Sequence, residues 1–435
     1  MFNPACAKER SPLNKQEENV AIQVNFEDMI TLASSLMQQG NLKQAEVLLL
    51  ALKQQFDYRP EVLFRLGMIH YTREEYQQAA GYFRKILVND PQAVRVRLEL
   101  ARTLFHLKQY TQSEREFRFA RSGDLPKETN SIIDRYLAAI QYYQTVKWNF
   151  TLSLAPDDNI NSAPDITRLG PDGVLRLDGF QKSSGIGALL NAGVEWMPRI
   201  SPSIRFRVGA NAYHANYSGS EFDDTVASFH LGPRFDFYRS RLSTLLTGYK
   251  RWYGQQEHSH SVGGRIEYTH LLNSRVRASV MTDYQEIRHH ENKLNDGHRK
   301  GVRGSVNYAL TESSGIQLSS GYFRERQQLD WNSSDTYRLS VGYYTELPKG
   351  INLFVQPEYT LTRYDAVNPL HSFFSLGDKK RKDETYRLNI SLSNRQWSYK
   401  GFMPTLLLIH SQRNSNYELH NYSRNQIQLS LSKLF

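Results

Sequence analysis

Imidazole is the side chain most often recruited to hold a metal ion or haem, and five histidines fall in two neighbouring stretches of this chain. His258 and His260 lie in one, which reads as an outer loop, and His289, His290 and His298 in another. No helical pair spaced four apart and no accompanying cysteine fixes a ligand geometry, so solvated loop histidines are the better reading. The single cysteine, Cys6, excludes a disulfide framework and a cysteine-based metal cluster. No nucleophile elbow, phosphate-cradling loop, HExxH or dinucleotide motif stands between a strand and a helix. The sequence therefore assigns no catalytic residue, no cofactor and no metal site, and no basic-aromatic motif points to nucleic acid. What does stand out is a set of arginines, Arg205, Arg207, Arg265, Arg277, Arg303, Arg338 and Arg387, interspersed with Glu195, Glu267, Asp283 and Glu358. Each arginine alternates with apolar neighbours, so the set belongs on one face of a sheet. Such a face is either a cation-rich lumen that accommodates a substrate or an arginine–carboxylate network that ties walls together, and alternation leaves both open.

The elements that carry those arginines read as strands with one apolar face. Ile204, Phe206, Val208, Ala210 and Ala212 alternate with Arg205, Arg207, Gly209, Asn211 and Tyr213; Tyr386, Leu388, Ile390 and Leu392 oppose Arg387, Asn389, Ser391 and Ser393. Fourteen such segments run from 147–157 to 421–435, the sixth expected at 260–272. Tight, turn-like junctions follow the even strands, as at Pro348-Lys349-Gly350, and longer connections follow most odd ones, notably 158–182 and 365–382. An even strand count with alternating short turns and long loops is the pattern of an outer-membrane β-barrel, with the short turns and both chain ends in the periplasm. Mean hydropathy is −0.58 and no 18-residue apolar run exists, which excludes a helical membrane protein but not such a barrel. With 54 Lys+Arg against 44 Asp+Glu the charge is +10, yet only 23% of residues are charged and 40% are hydrophobic, so the chain is neither disordered nor a polycation. Trp148, Trp196, Tyr268, Tyr308, Tyr322 and Trp397 near strand ends suit interfacial girdles, and Phe435 closes the last amphipathic strand.

Composition shifts near residue 146: 4 of 26 glycines precede it, and 18 of 26 tyrosines follow it. Before it, apolar residues recur at helical spacing and the pattern repeats every 34 residues, with Leu32, Leu66 and Leu100 in register, as are Leu42, Tyr76 and Tyr110. The middle copy, Leu66, Gly67, Tyr71, Tyr76, Ala79, Phe83 and Pro91, is similar to the tetratricopeptide (TPR) consensus: small residues let paired helices approach and large ones fill the gap. Such arrays form a curved solenoid whose concave face binds extended peptides or partner domains. One more amphipathic helix, with Ile133, Tyr136, Leu137 and Ile140, caps the array and joins it to the barrel. The expected organisation is a flexible leader over 1–24, a periplasmic helical domain over 25–145 and a barrel over 146–435. Met1-Phe2-Asn3-Pro4 supplies no apolar signal core, while Ala5-Cys6-Ala7 fits a cleavage pattern, so a start inside a longer precursor and a chance run of small residues both stand.

A short TPR array fused to a fourteen-stranded barrel resembles the surface lipoprotein assembly modulator (Slam) family, outer-membrane translocators of type XI secretion. The resemblance rests on Val94-Arg95-Val96-Arg97-Leu98-Glu99-Leu100-Ala101, on Tyr136-Leu137-Ala138-Ala139-Ile140 and on Pro156-Asp157-Asp158-Asn159-Ile160-Asn161, and it covers about residues 26–435. It implies movement of a cargo protein, a surface lipoprotein or a secreted hemophore-like haem- or metal-acquisition protein, to the cell surface. It also implies a periplasmic chaperone and the barrel-assembly machinery as helpers, the latter reading Phe435. The lipid bilayer is the expected surroundings and a monomer the expected state. An exopolysaccharide exporter and a passive porin with a TPR recruitment domain are the rival readings.

Overall fold

The computed structural model describes residues 13–434 except 57, 124, 167, 170–174, 177–180, 370–377 and 398–401, with side chains described from Phe26 onward. Cys6 and Phe435 lie outside the described residues. Seven helices come first: α1 Leu13–Gln38, α2 Leu42–Gln55, α3 Pro60–Thr72, α4 Tyr76–Asn89, α5 Val94–His106, α6 Tyr110–Arg121 and α7 Lys127–Tyr143. The starts of α2, α4 and α6 fall at 42, 76 and 110, so the sequence repeat is also the structural one. Leu66, Ala79 and Phe83 are wholly buried between α3 and α4. A Cβ on Gly67 would stand 2.6 Å from the Phe83 ring, so glycine is what permits this helix pair to close. The left-handed turn residue also repeats, at Gly40, Glu74 and Lys108 (φ 80°, 64° and 59°), although only the first is a glycine.

The first helix departs from expectation. Its backbone is helical from Leu13, inside the stretch read as a flexible leader. Lys15, Gln16, Glu17 and Glu18 favour helix by intrinsic propensity without building the amphipathic period on which the sequence reading relied.

Fourteen long antiparallel strands follow. They are β1 Val146–Asp157, β2 Gly185–Trp196, β3 Ile204–Asn216, β4 Asp224–Asp236, β5 Ser240–Tyr253, β6 Gln256–Leu271, β7 Val276–His289, β8 Gly297–Ala309, β9 Ser314–Gln327, β10 Ser334–Leu347, β11 Ile351–Tyr364, β12 Lys382–Asn394, β13 Met403–Ser415 and β14 Tyr422–Leu434. Each pairs with its neighbour in sequence and β1 pairs with β14, which closes the barrel. Connections after odd strands, such as 217–223, 290–296 and 328–333, lie at one end; those after even strands, such as 237–239, 310–313 and 348–350, lie at the other. We call these the loop end and the turn end. Leu154, Ile186, Val262, Val280, Leu339 and Leu429 are exposed on the outer face, and Trp148, Trp196, Tyr268 and Tyr308 are exposed nearer the turn end. Tyr284, Tyr322, Tyr337 and Tyr386 form the matching outward set nearer the loop end. An apolar band between two aromatic belts is the surface a bilayer requires.

One loop-end connection is tight. Gly254 and Gln255, with φ of 56° and 65°, make a two-residue hairpin of the kind that matches strand twist, and β6 therefore starts at Gln256 rather than near 260. His258 and His260 consequently sit in a strand and not in a loop, as does His298 in β8. His289 ends β7, with its ring 5.7 Å from that of His258, and His290 follows it.

Candidate functional site

The helical domain covers the turn end of the barrel, and one buried guanidinium explains how. Arg97 on α5 is fully buried; its Nε and Nη2 donate to the Pro91 carbonyl at 3.0 and 2.6 Å, and its Nη1 donates to Glu116 at 2.6 Å. Its Nη2 also meets Glu346, near the turn end of β10. Arg115 on α6 donates to the other oxygen of Glu346 at 2.7 Å, and both guanidiniums lie over the Phe119 ring, at 5.1 and 5.3 Å. A carboxylate held between two arginines and roofed by an aromatic ring has its desolvation offset, so this contact is costly to break from one side. Around it, Ser122 donates to the Thr311 carbonyl at 3.2 Å, Arg275 donates to the Ser122 carbonyl at 2.9 Å, and Arg199 lies 4.8 Å from the Tyr142 ring centre. Glu114 on α6 is pushed up by burial, yet Arg118, Lys147 and Arg241 outweigh that and hold its carboxyl at about 2.

Periodicity alone does not mark Arg97 as an anchor, although its place in the repeat carries a signal. In the 34-residue register Arg97 occupies the position of Leu63, a buried core residue of the preceding repeat. A charge at a core position needs partners, and here they come from both domains.

Inside the barrel the seven expected arginines share the face opposite the exposed apolar residues, and six of them stand near carboxylates. Arg207 binds Glu195 and Glu267, each at 2.7 Å, and His230 joins Glu195 at 2.9 Å. Arg205 approaches Asp236 at 3.3 Å, sharing it with Arg234 and Arg241. Arg265 lies 3.8 Å from Glu267, Arg303 3.4 Å from Asp283, and Arg338 and Arg387 each 3.7 Å from Glu358. Phe323 also faces inward, with Arg299, Arg303 and Arg338 each within 5.6 Å of its ring centre, a cation–π cluster that period-two patterning does not foresee. Arg277 differs from the other six. Its side chain has no hydrogen bond or ion pair among the described residues, and it lines the cavities at the turn end.

The β1–β14 seam is the third feature. Seven register partners join these strands among the described residues, against twelve between β1 and β2 on the other side. Pro156 has no N–H to give, which helps explain the break between Leu154 and Asp157. Beyond the break, loop-end side chains clamp the seam. Arg424 grips the buried Asp157 through three hydrogen bonds, the shortest 2.5 Å, and Gln426 adds another at 2.9 Å. Asp158 receives the Asn425 backbone and side-chain amides at 2.7 and 2.6 Å. Asn159, fully buried, donates to Ala163 and Ser423 carbonyls, both at 3.0 Å. Asp157, Asp158 and Asn159 therefore form a clasp across the two chain-terminal strands of the barrel.

Two family models match this chain: the surface lipoprotein assembly modifier over residues 147–435, and the N-terminal TPR repeats of the same family over residues 18–117. Surface lipoprotein assembly modifier 2 of Haemophilus influenzae is 23% identical over 412 residues, covering 91% of this chain and 82% of the relative. The surface lipoprotein assembly modifier of Moraxella catarrhalis is 23% identical, with 82% and 70% covered. Surface lipoprotein assembly modifier 1 of Neisseria meningitidis serogroup B is 21% identical, with 98% and 88% covered.

Proposed function

The chain belongs to the surface lipoprotein assembly modifier family, and from that premise we propose that it moves a surface lipoprotein from the periplasm to the outside of the cell. The barrel and the family place it in the outer membrane. One observation carries the reading: a peptide-binding type of helical array is bolted by Arg97, Arg115 and Glu346 to one mouth of a closed fourteen-stranded barrel. That mouth is the turn end, which in barrels of this kind faces the periplasm, so the helices stand where cargo arrives. Periplasmic chaperones hand cargo to the concave face of the array, and the barrel-assembly machinery inserts the chain, which acts as a monomer. A secreted haem- or metal-acquisition protein is the second class of cargo that this arrangement suits. The function is transfer without bond chemistry.

Transfer can run through the lumen, which paired arginines and carboxylates line, or through the seam. Ser153 and Ser430 face each other across it with oxygens 2.8 Å apart. The pair Ser153→Cys with Ser430→Cys meets the geometric needs of a disulfide at paired strand positions. The decisive experiment co-expresses the barrel with candidate lipoproteins in a Gram-negative host and scores protease-accessible cargo on intact cells and in the medium. Cargo outside the cell only when the barrel is present supports translocation, and its absence from the surface with an assembled barrel refutes it. With the seam oxidised, lateral release predicts loss of display that reductant restores; unchanged display rules out that route.

A further inference from the structure

Two adjoining cavities, about 370 and 400 Å³, lie between α6 and the turn-end portions of the barrel wall. Volumes of this size suit specific recognition. Glu114, Arg118 and Arg277 line both, so the two form one chamber at the point where the helical array meets the lumen. Its charge is lopsided. Five arginines and one carboxylate line the first cavity, and five arginines and three carboxylates line the second. Much of that positive charge is satisfied: Arg118 pairs with Glu114, Arg121 with Asp134, Arg241 with Asp236 and Arg115 with Glu346. Arg239, Arg275 and Arg277 stand in no ion pair among the described residues; the first two are exposed, whereas Arg277 is half-buried, with Glu114 of the same chamber beyond ion-pair contact. Deeper in the barrel, Arg207 sits between two carboxylates.

A guanidinium kept in a partly dry cavity beside other cations is unfavourable until an anion arrives, and bidentate carboxylate recognition is what its planar fork provides. The lining also carries Phe119, Leu271 and Tyr344, so the chamber suits a chain that mixes apolar and acidic side chains better than a bare inorganic ion. Arg239 and Arg275 are exposed at its rim, where they attract an approaching anion from solution.

We propose that this chamber is the docking site for an acidic, extended segment of the transported polypeptide, with Arg277 receiving one of its carboxylates as the chain passes from the helical array toward the barrel. The proposal rests on the translocator reading for the identity of the segment, while the site itself can be tested without it.

The probe is a fluorescein-labelled hexaglutamate peptide titrated into the full-length protein in detergent and read by anisotropy. Binding that weakens with salt is expected, with none for labelled hexaglutamine. Arg277→Gln is expected to weaken hexaglutamate binding about tenfold or more, as loss of one charge-assisted contact implies. Arg277→Lys, which keeps the charge and loses the planar fork, is expected to fall between Arg277→Gln and wild type, and Arg326→Gln, which removes an equal charge at the loop end, to change nothing. Should Arg277→Gln fail to assemble, Arg239→Glu at the exposed rim gives the same reading without touching the buried wall. Equal binding by Arg277→Gln and wild type, equal binding of hexaglutamine, or an equal loss in Arg326→Gln overturns the proposal. Displacement of the peptide by inorganic phosphate at matched ionic strength overturns it too, since that marks a simple anion site. In the surface-display assay, wild-type display with undiminished display by Arg277→Gln defeats the docking role and leaves translocation standing. No display by wild type, with hexaglutamate binding intact, defeats the translocator reading and the cargo identity together.

Discussion

Two arginines join distant parts of this chain, and their surroundings differ. Arg97 holds the helical domain to the barrel from a position with 0% side-chain exposure, against a Glu346 that is 4% exposed. Arg424 holds the last strand to the first at 28% exposure, against an Asp157 at 0%. Both use the same chemistry, but water reaches one side of the second pair and neither side of the first. Removing one partner from a buried pair costs about 3–5 kcal/mol because it strands the other charge, whereas exposed pairs are worth about 0–1 kcal/mol. The clasp lies between those limits. The comparison teaches that the junction pair is shielded from water on both sides, whereas the seam clasp is reached by water on its arginine side.

The strongest way to break that comparison is to remove the junction pair. Arg97→Leu leaves Glu116 and Glu346 without their buried guanidinium, and a loss of about 3–5 kcal/mol is expected. Limited proteolysis between α7 and β1 should then release the helical domain while the barrel keeps its heat-resistant migration on gels. If the domain stays protected, the junction is held by something other than this pair.

Opening the clasp comes next. Asp157→Asn removes the charge that Arg424 grips, and a cost of about 1–3 kcal/mol is expected, confined to the seam. It should lower the temperature at which the barrel unfolds in detergent and speed hydrogen exchange in β1 and β14 before β7 and β8. Uniform exchange across the barrel contradicts a cost confined to the seam. Cargo display, if release is lateral, should be retained or increased.

Acid sharpens the difference between the two regions. Glu114 has its carboxyl held at about 2 when folded, below the unfolded value near 4.3. A depressed carboxyl contributes stability that is fully present above about pH 4.3 and is lost as pH falls through about 2. Roughly 1–2 kcal/mol of docking, discounted for partial exposure, should therefore fade across that window, and Glu114→Gln should flatten the profile. An unchanged profile in Glu114→Gln removes this residue from the junction.

The smallest effect concerns the array alone. Lys108 holds a left-handed turn that Gly40 holds at no steric cost, so Lys108→Gly is expected to stabilise the helical domain by about 0.5–1 kcal/mol without altering the barrel. Thermal unfolding followed by helical circular dichroism checks it, and a lower midpoint would contradict the strain argument.

Much of this architecture was legible because its signals are periodic. The 34-residue spacing that aligns Leu42, Tyr76 and Tyr110 marks the starts of α2, α4 and α6, and two-residue alternation placed Arg207, Arg303 and Arg387 on one face. Single residues were read less well. The tight turn at Gly254 and Gln255 lacks the usual asparagine–glycine signal, so His258 and His260 were expected in a loop when they lie in β6. The start of α1 was hidden because polar helix formers carry no amphipathic period.

The sequence by itself determined the two folds, their order, the strand count and the face on which each arginine sits, since period and turn chemistry act over a few residues. Only the tertiary structure decided which carboxylate meets which arginine. Glu346 reaches Arg97 across 249 residues of chain, and Asp157 reaches Arg424 across 267. Those partners come together when the barrel closes and the helices cover its turn end, and the same closure leaves Arg277 at the mouth outside any ion pair among the described residues. Ion pairing depends on distance in space and on desolvation, neither of which local sequence encodes.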